Sequence, residues 1–212
     1  MSVYQTEEEQ VEAIKTWWKQ YGKSIIVGLL LGGSILAGTK LWVGHQQQQE
    51  AAASTEYQAV VDGLDNDKPD QVLEHGAVLV DQYPGTPYAA LAALAMAKVK
   101  VEQGKIDAAL THLQWVIDHA KQADMKRIAT LRLAKLQFAE GKGNAALTLL
   151  GGSDPGSFKA AYEELKGDIY TQQGKSVSAR SAYEAAIAAM PEGVDRQYLK
   201  MKLENLGAKD AS

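Results

Sequence analysis

The sequence has no cysteine and no concentration of positive charge. Without cysteine the chain has no thiol for catalysis or metal binding, and this absence is compatible with an oxidising compartment. Lysine and arginine number 22 against 26 acidic residues, which gives a net charge of −4 at pH 7, and they form no cluster. The chain therefore lacks the basic surface on which nucleic-acid binding depends, and we exclude that function.

Motifs of enzymes are missing as well. The sequence contains no glycine-rich phosphate loop and no nucleophile elbow. Four histidines are scattered along it; His112 and His119 lie on a predicted helix with Asp118 as the nearby acid. A metal site needs more ligands close together, so we interpret the histidines as solvent-facing or capping residues. We expect no cofactor, no metal and no enzymatic activity.

What the sequence does contain is one long uncharged stretch. Positions 24–39 carry no charge, and with Lys40 reaching outward to the interface the apolar run extends to Val43. At about 1.5 Å per residue, positions 25–43 span roughly 28 Å, close to the hydrocarbon thickness of a bilayer. We therefore predict a single membrane-spanning helix over 24–43. Aromatic residues typical of the headgroup layer flank it: Trp17, Trp18 and Tyr21 before it, and Trp42 at its far end.

Two alternatives to a membrane anchor fit less well. A buried globular helix would not need aromatic residues at both ends. A cleaved signal peptide would begin with a short basic segment, whereas an acidic segment that includes Glu7, Glu8 and Glu9 precedes this stretch. Large residues, Ile35 and Leu36, also stand where the candidate cleavage sites require small ones.

The charges around the span predict its orientation. Lys15, Lys19 and Lys23 lie just before it, and between Lys40 and Lys68 there is no lysine or arginine. Because lysine and arginine stay on the cytoplasmic side, we expect residues 1–23 inside the cell and the chain from about residue 50 outside. In a Gram-negative bacterium this predicts a single-pass inner-membrane protein with a periplasmic domain.

Residues 1–23 form the predicted cytoplasmic arm. Its residues 6–9, Thr-Glu-Glu-Glu, have the form of a capping box that starts a helix. An apolar stripe follows at three- and four-residue steps, which predicts a short amphipathic helix on the inner membrane surface that turns at Gly22. The stripe either sets the depth of the span or contacts a partner, and the sequence leaves both open. Its members are Val11, Ile14, Trp18 and Tyr21.

Small residues recur four positions apart within the span. This spacing lets a second helix approach closely in lipid, because no large side chain separates the two backbones. We therefore predict lateral packing against a membrane partner. The predicted contact residues are Gly28, Gly32, Gly33 and Ala37.

The chain beyond the span changes character twice. Residues 44–53 are rich in glutamine and alanine, and we predict a helical or flexible stalk there. Residues 54–212 are enough for one well-buried domain. Within them a motif that begins Gly-Lys recurs at Gly104, Gly141 and Gly174, and a helical apolar pattern precedes and follows each copy.

This periodicity resembles the tetratricopeptide repeat, a unit of about 34 residues that forms two antiparallel helices. We predict repeats at about 90–122, 127–151 and 160–192. A degenerate helix pair over 50–86 and a capping helix after Pro191 complete the predicted domain. The predicted class is all-α: a single N-terminal transmembrane helix followed by a tetratricopeptide-like α-solenoid, with roughly nine helices.

The repeats also have a physical logic. Each first helix carries a small residue, Ala97, Ala134 or Gly167, which lets the two helices of a pair touch. The glycine between the two helices adopts the left-handed conformation that ends the first. Alanines keep each second helix close to the next unit: Ala109, Ala146 and Ala179.

Repeat proteins of this type bind peptides or helices on the face lined by the first helix of each pair. Carrying those inward positions onto this sequence predicts an apolar groove edged by lysines, which suits an amphipathic helix or an unfolded segment. Packing of the same residues against 50–86 is the alternative, and the sequence leaves both open. In the third repeat the inward positions turn polar and acidic: Ala161, Glu164, Asp168 and Thr171. The predicted groove residues are Leu91, Leu94, Lys98, Val101, Ile128, Leu131, Lys135 and Phe138.

Over nearly its whole length the chain resembles the family of ancillary Sec translocon subunits, also called YfgM-like. The opening segment is the most specific part of the resemblance, and the last repeat and the final helix agree with it. The matching segments are Val3-Tyr4 with the acidic start, residues 10–15, Gly22-Lys23, the glycine-rich span, His45-Gln46, residues 179–182, Met201-Lys202 and Asn205-Leu206.

The resemblance implies an inner-membrane protein whose periplasmic repeat domain associates with the Sec translocon channel. It also implies a membrane-anchored periplasmic chaperone of the prolyl-isomerase type as a partner, and help in handing over exported client proteins. A link between the cytoplasmic arm and a stress-response regulator gives the alternative function, a membrane-tethered protein that sequesters such a factor. A third alternative, an envelope or division scaffold, differs mainly in its partners.

Overall fold

The computed structural model describes residues 7–209, with the side chains at 7–9, 24, 25, 27, 29, 30 and 207–209 outside the description. Regular structure within this range is helical throughout, which confirms the predicted all-α class. The elements are α1 (Glu7–Asp65), α2 (Pro69–Gln82), α3 (Pro87–Glu102), α4 (Ile106–His119), α5 (Ala123–Ala139), α6 (Gly143–Gly151), a 3₁₀ turn (Gly156–Phe158), α7 (Lys159–Gln172), α8 (Ser176–Ala189) and α9 (Gln197–Lys209).

The chain divides into two compact units, Met1–Gln49 and Glu50–Ser212. In the first unit the predicted turn at Gly22 is wrong, because α1 continues through this residue. A single glycine costs a helix only about 1 kcal/mol relative to alanine, and Gly22 does not have the positive φ of a C-terminal cap. Thr6 of the predicted capping box lies outside the described residues.

The second unit is built from successive helix pairs. The end of α1 joins α2 through a hydrogen bond from Gln71 Nε2 to the Ala59 carbonyl and a 2.7 Å contact between His75 Nδ1 and Glu56 Oε2. Then α3 packs on α4, α5 on α6 and α7 on α8, and α9 packs on α8. Each predicted repeat corresponds to one of these three pairs, and the predicted capping helix corresponds to α9.

The core of this unit is a row of clusters instead of a single centre. Neighbouring clusters along the row are linked by helices that contribute to both, so each helix pair buries its apolar face against the pairs beside it. This is the arrangement of a solenoid. The clusters centre on Val60 and Leu79 (α1 to α3), Leu94 and Leu113 (α3 to α5), Leu150 and Ile169 (α5 to α7), and Tyr183 and Leu199 (α8 and α9, with Tyr170 of α7 against them).

The turns inside the three repeats share one geometry. Gly104, Gly141 and Gly174 have φ of 71°, 75° and 70°, the left-handed conformation that glycine adopts without a steric penalty. The amide of the following lysine returns to a carbonyl in the last turn of the first helix, over 2.8 Å to 2.9 Å in all three. The predicted glycine turns are therefore confirmed.

The small residue of each first helix lies at a close helix contact. Ala97 and Ala134 are buried, and Gly167 has no room even for a methyl group, since a Cβ there would lie 2.4 Å from Cε1 of Tyr183. The Tyr183 hydroxyl donates to Asp168 Oδ1 over 2.7 Å and lies 3.2 Å from Thr171 Oγ1. Burial, together with the Asp168 carboxylate, raises the pKa of Tyr183 to about 12. The Tyr183 side chain is therefore fixed by the packing of its ring on Gly167 and by the polar contacts of its hydroxyl group.

Replacing Gly167 with alanine should lower the free energy of unfolding by about 1–3 kcal/mol, because the added methyl group overlaps a ring that cannot move aside. Urea unfolding of the full chain measures this change. The matched control is Gly151→Ala at the end of α6, where an added Cβ meets no atom within 4 Å. Equal stability of the two variants would contradict the close-contact account.

Candidate functional site

The second unit contains a cavity of about 370 Å³ between α3 and α5, with α4 beneath it. We call it the α3–α5 groove. Its size lies near the lower end of the range of ligand pockets, roughly 300–1,000 Å³, so it has room for a few side chains of a partner. Apolar and charged residues line it: Leu94, Ala97, Lys98, Val101, Glu102, Leu113, Arg132, Lys135 and Leu136.

The floor of the groove is apolar and is part of the core. Leu94, which is 6% exposed, and Leu113 belong to the cluster that α3, α4 and α5 share, and Leu136 packs against that cluster. Leu94 and Ala97 follow one another at helical spacing on α3, so both point to the same side of the helix. Since these residues hold the three helices together, the floor has a fixed shape.

The rim of the groove is basic. Lys98 on α3 lies 3.7 Å from Glu102, with both side chains about 60% exposed, so this pair contributes little to stability. Arg132 and Lys135 on α5 are exposed and form no ion pair with any residue that the structure describes. Three cations and one carboxylate around an apolar floor leave a local charge of about +2 in a chain whose net charge is −4.

The structure brings together half of the predicted groove residues. Leu94, Lys98, Val101 and Lys135 line the same cavity. The other four predicted residues are half-buried and do not line it. Ile128 packs against the cluster that contains Leu94, Leu131 and Phe138 pack against the cluster of α5 to α7, and Leu91 lies at the start of α3.

The alternative that the sequence left open, packing of the groove residues against residues 50–86, also holds for one of them. Leu73 and Val80 of α2 pack against the cluster to which Leu94 belongs. Leu94 is therefore both a core residue shared with the N-terminal pair and the base of the groove. A residue in this position shapes the surface, while contacts with a partner fall to the rim.

Arg132 and Leu136 line the groove but were not predicted. The prediction included a single row of inward-facing positions on each first helix. The groove between α3 and α5 is lined by side chains from two neighbouring rows of α5. The signal was available, because Arg132 lies three positions and Leu136 one position from the predicted Lys135. Helical geometry places residues three and four apart on one side.

The predicted acidic face of the third repeat is occupied by the chain itself. Lys202 of α9 donates to Glu164 Oε1 over 2.9 Å and to Asp168 Oδ1 over 2.7 Å. Desolvation lowers the pKa of Lys202, but the hydrogen bonds to the two carboxylates outweigh it and raise that pKa. Thr171 Oγ1 donates to the Gly167 carbonyl. The inward face of the third repeat does carry these acidic residues, and the capping helix α9 pairs both carboxylates with one lysine.

A second cavity, of about 490 Å³, lies between α4 and α5. Trp115 and His119 stack in it with ring centroids 4.7 Å apart, and His119 Nδ1 lies 2.9 Å from the Trp115 carbonyl. His112 is on the same helix; burial, and then Lys100, lower its pKa. Among the residues that the structure describes, no three His, Cys, Asp or Glu side chains are grouped so as to hold a metal ion.

The first unit offers a different kind of surface. Described side chains of α1 from Ile26 to Val43 are exposed, including Leu31, Ile35, Leu36 and Trp42. An added Cβ at Gly28, Gly32 or Gly33 would meet no atom within 4 Å, and Ala37 is exposed. A contiguous apolar surface of this kind marks contact with a membrane or another protein.

Taken over the described residues, no helix is apolar over enough of its length to cross a membrane. Five positions of the predicted span, Ser24, Ile25, Val27, Leu29 and Leu30, have side chains outside the description.

Comparison with known proteins gives one consistent group of relatives. Residues 15–208 match the family model described as a tetratricopeptide repeat-like domain. The chain is 30% identical over 206 residues to the Ancillary SecYEG translocon subunit of Escherichia coli (strain K12), covering 97% of this chain and 99% of that protein. It is 33% identical over 200 residues to the protein of the same name from Haemophilus influenzae, covering 94% and 97%. No solved structure matches the chain with significance.

Leu94→Ala should lower the free energy of unfolding by about 2–4 kcal/mol, because it opens a cavity in a core shared by three helices. Val101→Ala on the same helix should change it by less than about 0.5 kcal/mol, since Val101 is 37% exposed. Urea unfolding of the two variants under the same conditions makes the comparison. Similar losses would contradict the division of the groove into a structural floor and an exposed rim.

Proposed function

The chain belongs to the ancillary SecYEG translocon subunit family, and on that premise we propose that it is a scaffold of the bacterial protein-export channel. In this proposal it associates with the Sec translocon in the inner membrane and holds a membrane-anchored periplasmic chaperone of the prolyl-isomerase type beside it. The repeat domain thereby helps to hand over exported proteins. The observation that carries the proposal is the α3–α5 groove on a domain built for protein binding.

The anchor in this proposal is the helix over 24–43. Its support is the uncharged sequence, the aromatic residues at both ends and the exposure of its described apolar side chains. The lysines before the span, Lys15, Lys19 and Lys23, support a cytoplasmic position for residues 1–23 and a periplasmic one for the domain over 54–212, with the stalk 44–53 between them. The small residues of the span then lie in lipid beside the channel.

The groove is the proposed contact with the chaperone. Val101 and the half-buried Leu136 supply apolar contact area above the buried floor, and the exposed cations supply orientation and recognition. A fixed floor also lowers the entropy cost of binding, because the contributing residues are already ordered. The tetratricopeptide repeat-like fold supports protein binding.

A second function is favoured by one observation, the exposed aromatic face of the arm. Trp17, Trp18 and Tyr21 are each about half exposed, and Val11 and Ile14, one or two turns before them, are 48% and 66% exposed. Since α1 continues through Gly22, an amphipathic face extends away from the end of the predicted span. Such a face suits a cytoplasmic protein partner, and in this function the chain tethers a stress-response regulator at the membrane.

The packing of the span is tested by two leucine pairs, Gly28→Leu with Gly32→Leu, and Gly33→Leu with Ala37→Leu. The pairs lie on different sides of the helix, about 140° apart. We expect the pair on the channel side to reduce recovery of the Sec channel from detergent-solubilised membranes by about tenfold, because a bulky side chain separates the helices. Ile35→Leu is the control that keeps the volume of the span. Undiminished recovery with both pairs would sink the packing proposal.

Deletion of residues 2–20 separates the two functions. Scaffolding at the translocon should survive the deletion, since both its anchor and its groove remain. Tethering of a cytoplasmic factor should be lost. If the shortened protein instead loses the translocon and still binds the cytoplasmic factor, residues 2–20 do not tether that factor, and their proposed role is refuted.

A further inference from the structure

We propose that the α3–α5 groove binds an acidic amphipathic helix of a partner protein. This inference rests on the proposed function, because it names the chemistry of the partner at the surface already assigned to it. The charge, the geometry and the desolvation of the groove each restrict which kind of partner segment can bind there.

The charge of the groove selects for carboxylates. Arg132 and Lys135 stand exposed and form no ion pair with a described residue, and the one carboxylate that lines the groove, Glu102, lies 3.7 Å from Lys98. Several half-buried cations elsewhere in the domain are paired within the chain: Lys202 with Glu164 and Asp168, Lys166 with Glu163, and Arg127 with Asp124 and Asp154. Beside this apolar cleft the chain supplies no such partner for Arg132 and Lys135 among the described residues.

The geometry selects for a helix with acids on both flanks. Lys98 stands on α3 and Arg132 and Lys135 stand on α5, so the cations lie on opposite walls with the apolar floor between them. An occupant must therefore present an apolar ridge with carboxylates on either side of it. A helix with apolar residues at i, i+3, i+4 and i+7 and acids beside them meets this requirement.

Desolvation makes the preference for acid strong. When a partner covers the rim, Arg132 and Lys135 lose water, and an unpaired buried charge is costly. A neutral helix would bury the same apolar area and leave both cations without counter-charge. A basic helix would add repulsion. The guanidinium of Arg132 gains the most from a carboxylate, because its planar donors can bind both oxygens at once.

Three peptides of about 20 residues, long enough to be helical, test the proposal. They share one leucine stripe and differ only in the flanking residues, which are glutamate, glutamine or lysine. Binding to the full-length protein in phosphatidylcholine nanodiscs is followed by fluorescence anisotropy. The protein variants are Arg132→Gln with Lys135→Gln, and as the matched control Lys159→Gln with Arg180→Gln, two exposed cations outside the groove.

We expect the glutamate peptide to bind at least about tenfold more tightly than the glutamine peptide, and the lysine peptide most weakly. In Arg132→Gln with Lys135→Gln the glutamate peptide should lose this advantage, while the glutamine peptide should bind somewhat more tightly, because no unpaired cation is then desolvated. The control variant should keep the full preference. Equal affinity of the glutamate and glutamine peptides, or a preference that survives in the groove variant, would overturn the proposal, as would binding of none of the three.

Failure of this inference and failure of the proposed function give different results. Recovery of the Sec channel and of a periplasmic chaperone from cells carrying Val101→Trp, which adds a bulky side chain at the exposed rim of the groove, makes the distinction. If the peptides show no acid preference and the chaperone is lost from this variant, the groove is the partner site and the acidic chemistry is refuted. If the chaperone is retained, the assignment of the groove is itself refuted.

Discussion

The close approach of the two helices in each repeat is the contact on which the rest of the domain depends. A small residue at one position of each first helix permits it, alanine at Ala97 and Ala134 and glycine at Gly167, where the Tyr183 ring lies directly on the backbone. A glycine turn of one geometry then returns the chain for the second helix. Because each pair is flat and closely packed, its remaining apolar surface can be buried only by the next pair, and a row of linked clusters results.

The row of helix pairs is covered by another element at its C-terminal end and is uncovered between α3 and α5. At its C-terminal end α9 closes the third repeat, and Lys202 satisfies the carboxylates of Glu164 and Asp168 that would otherwise face solvent. Between α3 and α5 no described element plays this part, and Val101 and the cations Arg132 and Lys135 stay exposed. The first-helix surface is thus covered by the chain itself in the third repeat and left open between the first two.

Features that depend on local sequence were predictable, and features that depend on how helices meet were not. The glycine turns, the small positions and the all-α class follow from residues within one repeat. The α5 wall of the groove was half predicted: helical spacing from Lys135 pointed to Arg132, but only the crossing of α3 and α5 shows that both side chains line one cavity. The pairing of Lys202 with Glu164 and Asp168 connects residues more than thirty positions apart, and no pattern in the sequence marks it. At Gly22 the helical tendency of the flanking residues outweighed the single glycine.

The central claim is that the repeat domain lies outside the cytoplasm and holds a partner of the export machinery in the α3–α5 groove. A photoreactive residue at Val101 in the full-length protein, compared in cells with one at Val177, which is 86% exposed on α8, tests it most directly. The account predicts that position 101 captures a periplasmic chaperone or a translocon component and that position 177 does not. Capture of cytoplasmic proteins alone at position 101 would contradict both the topology and the assignment of the groove.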